Sequence, residues 1–218
     1  ENAKRASKYS IYKFTQEEVR KGHEGTYRTK CSDSVMDLSI SDVKDIALSG
    51  AETLLRPKEI VHAAVSIELV QRTTKIYSTS GADIDQKMDM ALIELSSTAK
   101  NKLDSQTRSN HGMRGHCYQT GATFVKDYDI QKEAAMVSDQ AVELLLADQC
   151  PTEVTDLVLA PDQMMLQIHE SIGHPLELDR ILGDERNFAG SSFVNLEDFG
   201  SLQYGSDLMN IVFDPTID

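Results

Sequence analysis

Tryptophan is absent from this 218-residue chain, aromatic residues make up 6% of it, and the 22 Lys and Arg are outnumbered by 35 Asp and Glu. The resulting net charge of -13 repels phosphate backbones and anionic membrane surfaces at long range, so neither nucleic acid nor a membrane is an expected partner. Cysteine is scarce as well. Cys31, Cys117 and Cys150 are odd in number and show no paired spacing, which argues against a disulfide framework and for a reducing, cytoplasmic setting. No stretch approaches the roughly 18 apolar residues of a membrane span. The opening Glu1-Asn2-Ala3-Lys4-Arg5 has neither an initiator Met nor a signal-peptide core, and both ends of the chain read as cut from a longer one.

The rest is ordinary globular material: 40% apolar and 26% charged residues, in a chain long enough to bury a core as one large domain or two small α/β lobes. Residues 1 to 40 are polar and mixed in pattern, with Gly22-His23-Glu24-Gly25 reading as a turn. Ser41, read as a capping serine before apolar residues at Val43, Ile46, Ala47 and Leu54, predicts a helix near 41 to 55, stopped by Pro57. Val61, Ala63, Val65, Ile67 and Leu69 alternate as a half-buried strand does, and Ile76-Tyr77-Ser78 before Gly81 reads as its hairpin partner. Met88, Ala91, Leu92, Leu95 and Ala99 recur at helical steps, predicting a second helix over 85 to 102. Gly112 to Val125, punctuated by Gly115 and Gly121, is expected to form one bent strand or two short ones. Asp129 to Ala147 reads as a long amphipathic helix, and Val154 to Leu159 as a buried strand between prolines. The character of the chain changes near Cys150-Pro151. The expected architecture is α/β: a sheet-and-helix domain over 1–150, followed over 151–218 by the beginning of a mixed α+β catalytic domain.

The chemistry is concentrated in that second segment. Ala160-Pro161-Asp162 opens a helix in the ordinary way, with proline in the first turn and an acid at the positive end. His169 and Glu170 lie on this helix, and His174 comes five residues after His169. On a regular helix, at about 100° per residue, five residues separate two side chains by about 140°, too far round to share one ion. Gly173 and Pro175 offer an escape, since glycine frees the backbone and a residue before proline is pushed out of the α region. His174 is therefore expected just beyond the helix end, turned back toward His169. Two imidazoles that bind a metal, an open position for water and a carboxylate to take that water's proton make a catalytic zinc site, with His169 and His174 as ligands and Glu170 as the acid/base. The bland reading is that both histidines merely cap a helix by bonding backbone carbonyls.

The string His169-Glu170-Ser171-Ile172-Gly173-His174-Pro175-Leu176-Glu177-Leu178-Asp179, preceded by Leu159-Ala160-Pro161, resembles the core motif of the TldD/PmbA peptidases, once called modulators of DNA gyrase. Phe188-Ala189-Gly190-Ser191-Ser192-Phe193 and Asp214-Pro215-Thr216 are similar to segments downstream of that motif in the family, and residues 61 to 125 loosely resemble the family's N-terminal domain. The resemblance implies Zn2+ on His169 and His174, with Glu170 catalytic. It also implies an unstructured peptide as substrate and a homodimer or a heterodimer with a paralogous subunit. In the family the third protein ligand is a cysteine far downstream, whereas the last cysteine here, Cys150, precedes the motif. The chain therefore reads as a front half that is inactive alone. Three readings of function arise: a zinc metallopeptidase subunit; a non-catalytic peptide-binding or scaffold subunit of such a dimer; and direct action on DNA gyrase, which the charge disfavours.

Other residues carry weaker signals. His116-Cys117 is a possible ligand pair, more ordinary as packing or surface; Cys150 and the Met164-Met165 pair read as core; Glu177, Asp179, Asp184 and Glu185 are possible carboxylate ligands or groups that orient a histidine.

Overall fold

The computed structural model describes residues 1–9, 21–111 and 116–214. It divides into two compact units, Glu1–Cys150 and Pro151–Asp218.

The first unit is built on two long strands, β2 (Ile60–Tyr77) and β3 (Asp83–Lys100), which pair antiparallel from Ile60 opposite Ala99 to Tyr77 opposite Asp83. The turn between them carries Gly81 with φ 91°, a conformation that suits glycine. On the other side of β3 lie β1 (Glu24–Arg28), which runs parallel to it, β5 (His116–Gln119) and β4 (Ser105–Ser109), both antiparallel. β3 is thus the central strand of a five-stranded mixed sheet. A short helix α1 (Asn2–Ala6) stands at the start of the chain.

Two helices pack on this sheet. α2 (Ile40–Leu54) is capped by Ser39 rather than by Ser41, which lies inside it: the Ser39 hydroxyl accepts from the Asp42 amide while the Asp42 carboxylate accepts from the Ser39 amide, a reciprocal cap. α4 (Ile130–Leu144) is capped by Asp129 and comes after the short α3 (Ala122–Asp127). Leu54 of α2, Ile93 and Leu95 of β3, and Ile130, Ala134 and Val137 of α4 form the main core. Gly50 lets α2 approach α4, since a Cβ there would meet Ile130 at 3.0 Å.

The fold is α/β, as expected, but several elements differ from the sequence reading. The helix predicted over 85–102 is the central strand β3. Its buried positions alternate through Asp89, Ala91, Ile93, Leu95, Ser97 and Ala99, and the polar Asp89 and Ser97 interrupt the apolar period of two. Ile76 and Tyr77 end β2 itself rather than forming a partner strand, and of the residues read as a turn at 22–25, Glu24 and Gly25 belong to β1. Of the segment 112 to 125, Gly112 through Gly115 lie outside the described residues; β5 and α3 occupy the rest. Residues 154–159 form no strand, and Val154, Leu157 and Val158 are exposed. An apolar run becomes a buried strand only where a neighbour supplies hydrogen bonds.

The first helix of the second unit is α5 (Pro161–Ile168), with proline in its first turn as expected. Next come a π turn over His169–Gly173, a 3-10 turn over His174–Leu176 and α6 (Leu178–Leu182), which ends on Gly183, whose φ of 84° closes the helix. Behind these turns Ile172, Leu176, Val194, Phe199, Leu202 and Met209 line an open hollow of about 280 Å³. No helix among the described residues is long and apolar enough to cross a membrane.

Candidate metal centre

His169, Glu170 and His174 come together at the junction of α5 and the turns after it, each offering a ligand atom within 4.8 Å of the others. The two imidazole centroids are 4.4 Å apart and the rings are crossed at 74°. Glu170 lies between them: one carboxylate oxygen is 3.9 Å from Nε2 of His169 and the other 3.8 Å from Nε2 of His174. Both Nε2 atoms therefore face the same carboxylate.

The backbone reaches this arrangement by a route the sequence reading did not foresee. Gly173 is helical, at φ -58° and ψ -63°, and so is His174 before its proline, at φ -61° and ψ -43°. The chain does not leave the helix. It widens instead: the His174 amide donates to the His169 carbonyl, five residues back, which is the hydrogen bond of a π turn. One such turn spans the spacing of the two histidines, so they end up on one side of the backbone. Pro175, lacking an amide hydrogen, sits in the first turn of the 3-10 segment, where that hydrogen has no helical partner to lose.

Gly173 itself yields a prediction, because its helical φ is one any residue adopts and a Cβ there would meet nothing within 4 Å. Gly173→Ala is expected to leave any affinity of the trio for a divalent metal unchanged and to stabilise the unit by about 0.5–1 kcal/mol, because alanine loses less backbone freedom in a helix. A thermal melt with a zinc titration checks this, and a tenfold loss of affinity would show that the glycine is needed.

His174 is the better braced histidine. Its Nδ1 lies 2.8 Å from Glu177 Oε1 and 3.2 Å from Arg180 Nη2. The Arg180 Nε donates to the other oxygen of Glu177, and its Nη1 donates to the Ala189 carbonyl at 2.8 Å. The hydrogen bond with His174, and after it that with Arg180, holds the Glu177 carboxyl below the usual carboxylate range. Ser192 ties the same loop to the turn, its hydroxyl donating to the Pro175 carbonyl at 2.6 Å. The Tyr204 hydroxyl donates to the Ser171 carbonyl.

Among the acids open to either role in the sequence, Glu177 is placed behind His174, and it is not part of the group of three. The Asp179 carboxylate accepts from the Arg180 amide. Arg180 and Ser192 were missed as contributors, although Glu177 and Arg180, three residues apart on one helical turn, form a pair the sequence could have flagged.

The remaining candidates fall elsewhere. His116 packs between the rings of His111 and Tyr118, and Cys117 is exposed. Cys150, read as buried, is exposed, as is Cys31. Met164 and Met165 are exposed rather than core, since α5 buries no residue. Among the described residues the group with metal-ligand geometry contains two imidazoles and one carboxylate, a donor set that suits a borderline divalent ion such as zinc.

Comparison with known proteins puts this geometry in context. No family model matches the chain. It is 31% identical over 165 residues to a curated protein of Methanothermobacter thermautotrophicus named metalloprotease, a match covering 72% of this chain and 34% of the relative. The chain thus spans about a third of the length of the curated relative it matches. That name agrees with the family the sequence resembles and implies a metal ion. Among solved structures, a Thermotoga maritima protein described as a candidate modulator of a DNA gyrase aligns with a TM-score of 0.46 at 15% identity, over 65% of this chain and 30% of that one.

Proposed function

We propose that the chain carries the metal-binding motif of a zinc metallopeptidase of the TldD/PmbA kind, hydrolysing peptide bonds in unstructured peptides with Glu170 as the acid/base. The observation that carries this reading is the Glu170 carboxylate set between the Nε2 atoms of His169 and His174, 3.9 and 3.8 Å from them. His169 and His174 would hold the ion. When bound, zinc supplies Lewis acidity, polarising the peptide carbonyl and making a water acidic enough to lose a proton near neutral pH.

The protein's own groups do the rest. Glu170 takes the proton of the attacking water and returns it to the leaving amine nitrogen, the double duty of a positioned carboxylate. Its exposure leaves room for a peptide to approach. An extended strand can lay its backbone along such a surface, whereas a folded domain keeps its peptide bonds inside. The alternative, a non-catalytic peptide-binding or scaffold subunit, gives a carboxylate facing two imidazoles nothing to do. Assembly as a homodimer or with a paralogous subunit belongs to the same proposal.

The test is hydrolysis of an unfolded polypeptide by the full-length, zinc-loaded protein. Cleavage is expected to stop on chelation, to return with zinc, and to be at least tenfold slower on the same substrate in a stably folded form. Equal rates on folded and unfolded substrate, or activity indifferent to chelator, would overturn the proposal.

A further inference from the structure

We propose that Glu177 and Arg180 compete for Nδ1 of His174, and that Glu177, the winner, selects the imidazole tautomer whose Nε2 is free for metal. The proposal rests on the reading of His174 as a ligand and adds what decides whether it can be one.

Nδ1 of His174 faces two partners of opposite character. Glu177 Oε1 stands 2.8 Å away and Arg180 Nη2 3.2 Å away. An ionised carboxylate only accepts hydrogen bonds, and a guanidinium only donates them. Glu177 is therefore satisfied only when Nδ1 carries the proton, and Arg180 only when it does not. A neutral imidazole has one N–H to place. With the proton on Nδ1, the lone pair of Nε2 points toward Glu170 and a metal. With the proton on Nε2, that lone pair is used up and His174 cannot ligate.

Both rivals are charged, and the shorter contact, 2.8 Å against 3.2 Å, belongs to the carboxylate. Arg180 is also occupied elsewhere, through Nε on the second oxygen of Glu177 and Nη1 on the Ala189 carbonyl. It holds the carboxylate in place while remaining its rival for the imidazole. Arg180 is fixed further by its backbone, since the Ser192 amide donates to its carbonyl. Glu177 and Arg180 are thus positioning residues that act on metal through His174. Taking Glu177 away leaves Arg180 as the remaining partner of Nδ1 and inverts the tautomer.

The experiment pairs two readouts on the full-length protein: the nitrogen-15 shifts of the His174 ring in the metal-free state, which report the tautomer, and zinc affinity by competition with a chelator. The wild type is expected to hold its proton on Nδ1. Glu177→Ala should move it to Nε2 and weaken zinc by about 10- to 100-fold, the usual effect of losing a carboxylate behind a metal-binding histidine. Arg180→Ala should keep the Nδ1 proton. The double variant Glu177→Ala/Arg180→Ala should bind zinc more tightly than Glu177→Ala alone, because the rival donor has gone, a recovery that simple loss of packing would not give. Glu177→Gln, which keeps the side chain's size, should shift both readouts in the same direction by less, and serves if the alanine variant fails to fold. A wild-type ring protonated on Nε2, or a double variant no tighter than Glu177→Ala, would overturn the proposal. None of these readouts needs hydrolysis. A protein that binds zinc yet cleaves no peptide would end the peptidase reading and leave the tautomer assignment standing, while an active peptidase with its proton on Nε2 would do the reverse.

Discussion

Glu170→Gln in the full-length protein is expected to keep its zinc and to lose peptide hydrolysis by about 10²- to 10⁴-fold, the contribution of a positioned general base. Glutamine preserves the length and shape of the side chain but cannot take up a proton at the pH of the reaction. The histidines stay where they are, because the π turn that sets them is held by backbone hydrogen bonds. The carboxylate now facing both Nε2 atoms is what is lost. Rate and metal content must be measured on the same preparation, since a fall in both would make Glu170 a ligand rather than a base. Hydrolysis within a few-fold of wild type would remove it from the mechanism.

The second large effect is expected on metal content. His169→Ala and His174→Ala should each strip most of the zinc, since a borderline ion that normally has three protein ligands is held poorly when one is removed. The two variants should differ in what else they disturb. His169 is the more open of the pair, while His174 is bonded to Glu177 and lies against Arg180. Its removal leaves Glu177 bonded to Arg180 alone, and the loop around Ala189 should loosen with it. Elemental analysis after dialysis, alongside protease sensitivity near residue 189, checks both parts. Undiminished zinc in both variants would leave the histidines as ordinary helix-end side chains, although the partners the structure gives the His174 ring are a carboxylate and a guanidinium rather than the backbone carbonyls of a cap.

The trio was legible because its meaning depends on residue type and local order alone: two imidazoles, one carboxylate and a helix opened by Pro161. How the trio converges was not legible. The choice between leaving the helix at Gly173 and widening it into a π turn rests on hydrogen bonds between backbone groups, which every residue carries alike. The bracing by Arg180 was hidden for a related reason, since its contacts include the Ala189 carbonyl, which no side-chain pattern announces. In the first unit α2 and α4 were readable from spacing, as their apolar residues recur every three or four positions. β3 was misread because Asp89 and Ser97 occupy buried positions of the strand. Asp89 is satisfied there by Ser34 and Gln71, which come from an earlier loop and from β2. A polar residue becomes a core residue once distant partners bond it, and those partners stand 55 and 18 positions away.

The π turn also bears on how such a motif can change over generations. A π turn accommodates one residue more than an α turn between the same two hydrogen-bonded groups, so loss of a single codon among Ser171, Ile172 and Gly173 leaves an α turn whose ends are His169 and His174, now four apart. Both spacings set the imidazoles on one side of the helix. Glu177 and Arg180 lie after the deletion and travel with His174, so its bracing survives the change of length. A lineage can therefore pass between the two spacings in one step without an intermediate in which the ligands point apart.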